Sequence, residues 1–577
     1  MNAARSDEPQ PTAEFDVIVV GSGAAGMTAA MTAAGQGLRT VVVEKAAHFG
    51  GSTARSGGGV WIPGNEALAA AGVTEPPEAA RRYLRSIIGD VVPEDRIDTF
   101  LERGPEMLSF VLRHSPLRLR WVPNYSDYYP EAPGGRAGGR SVEPKPFNGK
   151  RLGTELANLE PDYGKAPLNV VVTQADYKWL NLLARHPRGL LRVMAVGARW
   201  LFALVTGKRL LGRGQALAAA LRAGLRQAGV QVWLNTPLLD LRATDGRVSG
   251  VVIGRDGSPQ VLRAKHGVIL ACGGFEHNEQ MRKQYQREPI GTGWTVGAKA
   301  NTGDGIRAGE RLGAALDLMD DAWWGPSVPL TGGPWFALAE RSLPGSIMVN
   351  GRGERFLNES APYVEAVHAM YGGRYGRGDG PGENIPTWIV FDQRYRNRYM
   401  FAGLGPRKPF PGRWYKAGVV VKANSIDALA ERIELPSDAL RSTVERFNTF
   451  ARDGRDLDFH RGDSKYDHYY GDPRNRPNPS LAPLERAPFY AVKMVPGDLG
   501  TKGGLRTDVN GRVLREDGAV LTGLYAAGNV SATVMGHTYA GPGATIGPAM
   551  TFGYIAALDI AEHIGTAANV RTDASER

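Results

Sequence analysis

Two unbroken apolar runs, FDVIVV (15–20) and TVVVE (40–44), frame a stretch of small residues, GSGAAGMTAAMTAAG, near the start of the chain. Runs this short and this apolar predict buried strands, and the stretch between them predicts a helix of small side chains. Polar turns then divide the pattern into shorter strands between 230 and 271 (VQVWLN, VSGVVI, GVILA), as in a β-meander. TGDGIRAGERLGAAL (302–316) predicts a turn leading into a helix. From about Asp321 the style changes. WWGPSVPLTGGPWFAL is dense in aromatics and turn formers, and SIMVNGRGERFLNES (346–360) predicts a hairpin turning at Asn350–Gly351. SIDALAERI and DALRSTVERFNTFA (425–452) carry the helical period of two amphipathic helices. The tail NVRTDASER is expected to be disordered.

Residues 177–226 follow a different rule. They contain no acid, and Lys178, Arg185, Arg188, Arg192, Arg199, Lys208, Arg209 and Arg213 alternate with Trp179, Leu190, Leu191, Trp200, Leu201 and Phe202. This predicts a basic, apolar insert: a helix or helical hairpin lying in a membrane interface, with its cations at the headgroups. The alternative is an amphipathic helix packed on the protein's own domain. The segment is too interrupted to span a bilayer, and no run of 18 apolar residues occurs anywhere in the chain.

Composition narrows the partners. The net charge of +10 is spread over 577 residues without a nucleic-acid motif, so no nucleic-acid partner is expected. Cys272 is the single cysteine, which excludes an intrachain disulfide and fits a reducing cytoplasm. The start, MNAARSDEPQPTAEFDVIVV, does not read as a secretory signal. The expected location is therefore cytoplasmic, with peripheral contact at the inner face of the cytoplasmic membrane. The ten histidines form no ligand cluster, and no metal site is expected.

The first strand, helix and strand carry chemistry. Gly21, Gly23 and Gly26 form GxGxxG between strand and helix, and Glu44 closes the next strand. Gly21 allows the tight turn, Gly23 lets a pyrophosphate approach the backbone, and Gly26 permits close helix–sheet packing. The helix N-terminus at Ala24 and Ala25 then faces the phosphates, and Glu44 accepts from a ribose hydroxyl, with Lys45 beside it. A second glycine-rich loop follows, FGGSTARSGGGVWIPGN (49–65), which a simple nicotinamide dehydrogenase does not need.

That loop, VILACGGFEHN (268–278) and GLYAAGNV (523–530) resemble the succinate dehydrogenase/fumarate reductase flavoprotein superfamily. The resemblance implies FAD, with Gly51, Ser52, Thr53, Ser56, Gly57 and Gly58 near the isoalloxazine, and Gly273, Gly528, Asn529 and Ile546 also at the cofactor. Covalent flavin binders of that superfamily have a histidine in the second loop. Ser and Thr stand here instead, which implies non-covalent FAD. A second reading has Ser52 and Thr53 simply capping the loop. The fold class that follows is α/β with an α+β insert. A discontinuous Rossmann-like FAD-binding domain, 1–320 and 498–577, encloses a substrate and catalytic domain at 321–497.

Within the superfamily the chain resembles the 3-ketosteroid Δ1-dehydrogenases. The resemblance is carried by GGSTARSGGGVWIP, YSDYYPEAPGGR (125–136), LMDDAWW (318–324), RFLNESAPY (355–363), DLGTKGGLRTD (498–508) and GHTYAGPGATIG (536–547). It implies oxidation of the C1–C2 bond beside a C3 ketone. Tyr539 and the Gly543 N–H would donate to the carbonyl oxygen, Tyr363 would take the C2 proton, and Tyr128 would assist. Tyr125 and Tyr129 remain alternatives to Tyr128 at this point. Free phenol, with a pKa of about 10, is a weak base at neutral pH unless its anion is stabilised. Ala540 stands where many members have proline, which is expected to loosen the loop. The Δ4-(5α)-dehydrogenases, with a serine close after the tyrosine, or another fumarate-reductase-like flavin oxidoreductase, are the second reading. No HxxxGR-type segment, such as fumarate reductases use to bind a dicarboxylate, is matched. A quinone is the expected electron acceptor for an enzyme at a membrane.

Overall fold

The computed structural model describes residues 12–164, 170–373 and 382–575. Its first strand, Ala13–Val20, lies between Thr40–Val43 and Ser258–Leu270, parallel to both, with Val20 opposite Val43 and Leu270. Val520–Ala526 and Gln231–Trp233 extend this parallel sheet on either side, and Arg512–Leu514 adds an antiparallel edge. The alternation of a strand explains how one short run serves two cores. Val17 and Val19 point into one apolar cluster, and Ile18 and Val20 into the other. Helices Ala24–Gly35, Arg213–Gln227 and Ile546–Ser575 cover the first face. The second is covered by the meander of Leu238–Thr244, Arg247–Arg255 and Ser258–Leu270 and by the helix Asp304–Arg311. The C-terminal helix lies so close to the first that a Cβ at Gly553 would collide with the Ala25 backbone.

A second, antiparallel sheet is built from Trp335–Phe336, Ala322–Val328, Phe489–Thr501, Thr387–Asp392 and Ser346–Val349, with Val420–Ala423 beside the long strand. The helices Ile426–Arg432 and Ser437–Asp453 pack on it through Leu429, Leu440, Val444 and Phe447. The expected hairpin at 346–360 is present but short: Asn350 N–H donates to the Glu354 carbonyl at 3.0 Å, and Val349 forms an antiparallel bridge with Arg355. Asn350 Oδ1 accepts from the N–H groups of Arg352 and Glu354 and closes the turn, and the other edge of Ser346–Val349 pairs with Thr387–Asp392.

The basic segment divides. Residues 213–227 form a core helix with Ala216–Leu221 fully buried against the first helix, so this part is no insert. The helix Pro187–Val205 is the exposed one. Two of its three arginines turn to the protein: Arg199 Nη1 lies 2.8 Å from Asp176 Oδ2, and Arg192 meets the same carboxylate at 3.4 Å. Arg185 pairs with Asp472 at 2.7 Å. The acid that holds two of these arginines sits one residue before the stretch considered. What faces solvent is apolar: Leu190, Leu191, Met194, Leu201, Phe202 and Leu204 are each more than half exposed. No helix among the described residues is long and apolar enough to cross a membrane. The expected disordered tail is helical as far as Ser575, because no proline or glycine interrupts residues 566–575 of the helix begun at Ile546. Residues 576 and 577 lie outside the described residues.

Candidate active site

A single cavity of about 820 Å³ runs from the glycine motif to a cluster of phenols. At its cofactor end Gly21 has φ = +104°, and its missing Cβ leaves room for the strand end at Ala271 and Cys272. Gly23 differs, because a Cβ there would point past Thr53 into open cavity. Gly26 does not line the cavity but packs on the Gly21 carbonyl, as its position in the motif requires. Glu44 is buried. Its Oε2 accepts from the Ser22 N–H at 2.9 Å and the Ser22 hydroxyl at 2.6 Å, and its Oε1 accepts from Ala46 N–H. Burial pushes this carboxyl above its ordinary value, which the three donors offset only in part. Lys45 reaches across to Thr302 and Asp304.

The second glycine loop is knitted to its surroundings. Thr53 Oγ1 accepts from Ala24 N–H at 2.9 Å and so caps the first helix. Ser52 Oγ accepts from Ala298 N–H and Asn301 Nδ2, and Ser56 Oγ donates to the Thr53 carbonyl. Gly51, Ser52, Thr53, Ser56, Gly57 and Gly58 nevertheless line the cavity, as do Ala24, Ala25, Gly273, Gly528, Asn529 and Ile546. A dinucleotide therefore fits: an open glycine cradle, one helix N-terminus at Ala24, and a second helix starting at the wall with Ile546. Asn301 and Gln174 also line the space. Sequence reasoning missed both, although the Thr173–Asp176 capping box that places Gln174 at a helix start is readable as T-Q-A-D.

At the far end three rings close into a triangle. The centroids of Tyr128 and Tyr363 are 5.3 Å apart, those of Tyr128 and Tyr539 5.1 Å, and those of Tyr363 and Tyr539 5.2 Å. The Tyr128 hydroxyl donates to that of Tyr363 at 3.0 Å. Its neighbours are otherwise engaged. Tyr129 donates to Glu365, and Tyr125 accepts from Tyr470. The Tyr539 hydroxyl lies 3.3 Å from Thr545 Oγ1, and Gly543 lines the cavity beside it. Gly543 has φ = +101°, and a Cβ on it would strike the Gly59 backbone. Trp323 and Phe336 stand edge-on to Tyr539 and Tyr363.

One expectation needs correction here. The loop at Ala540 is not loose. The Ala540 carbonyl accepts from the Tyr83 hydroxyl at 2.6 Å and Tyr128 N–H at 3.1 Å, and the Pro542 carbonyl accepts from Ser141 Oγ at 2.6 Å. Tertiary hydrogen bonds do here what a proline ring would do covalently. The Tyr363 phenol gains no net stabilisation of its anion from its surroundings. Burial, then the neighbouring Tyr539, push it well above the phenol range, and the Tyr128 hydrogen bond opposes them only weakly. Burial likewise raises Tyr539, which keeps that hydroxyl a donor. Among the described residues no group of three His, Cys, Asp or Glu is placed to hold a metal.

Comparison with known proteins matches residues 16–546 to the FAD binding domain family. A 3-oxosteroid 1-dehydrogenase of Mycobacterium tuberculosis H37Rv is 66% identical, over 96% of this chain and 99% of that one. A 3-oxosteroid 1-dehydrogenase of Mycolicibacterium smegmatis is 67% identical, over 95% of this chain and 97% of that one. The crystal structure of 3-ketosteroid Δ1-dehydrogenase from Sterolibacterium denitrificans, in complex with 1,4-androstadiene-3,17-dione, superposes with a TM-score of 0.89 at 40% identity, covering 96% of this chain and all of that one.

Proposed function

This chain belongs to the FAD binding domain family and, within it, to the FAD-dependent 3-oxosteroid 1-dehydrogenases, and from that premise we propose how its own residues carry the C1–C2 dehydrogenation. The observation that supports the reading is the triangle of phenols at the end of a cavity that begins at a dinucleotide cradle. A 3-ketosteroid lies in the cavity with its A ring against the three phenols and its C3 oxygen within reach of the Tyr539 hydroxyl and the Gly543 N–H. Two fixed donors stabilise the charge that moves onto that oxygen as C2 loses its proton. Tyr363 takes the proton, and the Tyr128 hydroxyl, 3.0 Å away, donates to the phenolate oxygen. When bound, FAD would supply the two-electron acceptor for the hydride lost from C1, leaving the 1,4-diene. Ala24, Thr53, Glu44 and Asn529, which line the cavity, would hold the cofactor, and the surrounding aromatic rings exclude water from the reacting carbons. The test is anaerobic addition of androst-4-ene-3,17-dione to the FAD-loaded protein. Bleaching of the flavin band with formation of the 1,4-diene is the expected result. An unreactive flavin that bleaches instead with a 5α-saturated ketosteroid would replace this reading with the Δ4 reaction.

The same reading extends to location. The exposed apolar face of Pro187–Val205 seats the enzyme on a membrane surface, while the arginines behind it hold the helix to the protein through Asp176. Six side chains each half-transferred from water contribute about 5 kcal/mol together, the order of a single acyl chain, so association is reversible. A lipid-dissolved quinone is the electron acceptor this placement favours. Replacing Leu190, Leu191, Leu201 and Phe202 by serine is expected to abolish flotation with phosphatidylglycerol vesicles and to leave turnover of detergent-dispersed steroid unchanged. Undiminished flotation of the variant would remove the membrane contact.

A further inference from the structure

Several motifs singled out in the sequence have no place yet in the chemistry: Asp321 of LMDDAWW, Lys502 of DLGTKGG, and the His537–Thr538 pair ahead of Tyr539. They meet in one buried cluster behind the phenols. Asp321 Oδ1 accepts from Trp324 Nε1 at 2.5 Å and lies 3.0 Å from His368 Nε2. Its Oδ2 lies 3.0 Å from His537 Nδ1 and 3.2 Å from Lys502 Nζ. Lys502, with no exposed side-chain surface, also donates to the Thr538 carbonyl at 3.0 Å. His368 faces Glu365 through Nδ1 at 3.9 Å, and Glu365 Oε1 accepts from the Tyr129 hydroxyl at 2.7 Å. Burial alone would push the Asp321 carboxyl up, but Lys502 and His368 outweigh it and hold it well below its ordinary value.

The arrangement has one property that a generic buried ion pair lacks. Each reacting tyrosine is one or two residues from a member of the cluster. Tyr128 precedes Tyr129, Tyr363 starts the helix that carries Glu365 and His368, and Tyr539 follows Thr538. Trp323, which stands edge-on to Tyr539, lies under the Lys502 ammonium at 5.0 Å. The three tyrosines come from segments far apart in sequence, and the Tyr128–Tyr363 hydroxyl bond alone does not fix the third ring.

We propose that Asp321, Lys502, His368 and Glu365 are positioning residues for the dehydrogenation, an ionic hub that sets the three reacting tyrosines in register. The proposal rests on the assignment of Tyr363, Tyr128 and Tyr539 given above. Lys502 clamps the Thr538 carbonyl and so fixes the loop that presents Tyr539. Glu365 and His368 fix the helix that presents Tyr363, and Tyr129 ties the segment of Tyr128 to both. None of the four touches substrate, so their loss acts on geometry rather than on the reacting atoms.

The test uses FAD-loaded protein and two readouts: the rate of anaerobic flavin reduction by androst-4-ene-3,17-dione, and the Kd of the 1,4-diene product from the flavin spectrum. Misplacement of reacting groups by about 1 Å costs on the order of 10²-fold in rate, so Lys502→Met is expected to slow reduction about 10- to 100-fold while Kd changes less than about threefold. Glu365→Ala, at the partly exposed end of the hub, is expected to slow it about fivefold or more, and Glu365→Gln, which keeps an acceptor for Tyr129, to restore most of the rate. A reduction rate within threefold of wild type in Lys502→Met, or a Kd that weakens in step with the rate, overturns the proposal. If Lys502→Met does not fold, equal rates in Glu365→Ala, Glu365→Gln and wild type overturn it. Tyr363→Phe is measured beside them. Normal hub variants with a slow Tyr363→Phe defeat the hub alone, whereas a normal Tyr363→Phe defeats the assignment beneath it.

Discussion

Tyr363→Phe is expected to lower the rate of anaerobic flavin reduction by about 10³-fold while leaving FAD bound, since general bases contribute roughly 10²–10⁴-fold. The ring is buried and packs edge-on against Phe336, Tyr128 and Tyr539, so phenylalanine preserves the packing and removes only the hydroxyl. The direction of the Tyr363 shift adds a second, sharper expectation. A phenol raised well above its ordinary range is almost wholly protonated at neutral pH. The base form then grows with each step in pH and does not saturate below the raised pKa. Wild-type flavin reduction should therefore climb about tenfold per pH unit with no plateau below about pH 10, the unperturbed phenol value. In Tyr363→Phe that slope should vanish. A wild-type plateau near neutrality would mean that the proton leaves to a group other than this phenol.

Tyr539→Phe is expected to cost about 10²–10³-fold in reduction rate, the range for one donor removed from a developing oxyanion. Its companion donor can be tested through the backbone. Gly543 occupies φ = +101° and has no room for a Cβ beside Gly59. Gly543→Ala must therefore shift the loop, and it should lose rate comparably although no side-chain donor has been removed. Stopped-flow reduction on both variants, with FAD content measured first, separates the outcomes. A Tyr539→Phe variant within a few-fold of wild type would leave the Gly543 N–H as the main stabiliser of the oxygen.

How much of this was legible in the sequence follows from how local each signal is. The strand, glycine loop, helix and second strand at 15–44 are one contiguous pattern, and each residue satisfies its neighbours. The two helices between 425 and 453 could be read for the same reason, since their apolar stripes lie on each helix itself. The phenols proposed to react could be singled out only through their motifs, because nothing about Tyr363 alone distinguishes it from the other tyrosines. Sequence left Tyr125, Tyr128 and Tyr129 open, and what separates them is the partner of each hydroxyl: Tyr470, Tyr363 and Glu365 respectively. The basic segment was misread in part because charge was weighed within a window. Asp176 lies just outside it and turns two of its arginines from solvent to protein. The buried Asp321 cluster was invisible for the opposite reason: its members are spread over more than two hundred residues, and no local pattern announces a carboxylate that will be shared.

The helix Ile546–Ser575 begins at the cavity wall, three residues after Gly543, and at Gly553 lies backbone to backbone against the helix that starts at Ala24. The two ligands therefore lean on one beam. Whichever binds first stiffens it, and the second arrives at a site already ordered, which is a coupling free energy between them. Stripped of FAD, the protein should bind the diene product more weakly. By reciprocity the product should tighten FAD binding by the same factor, so that a steroid-saturated enzyme keeps its flavin through a dialysis that empties the free one.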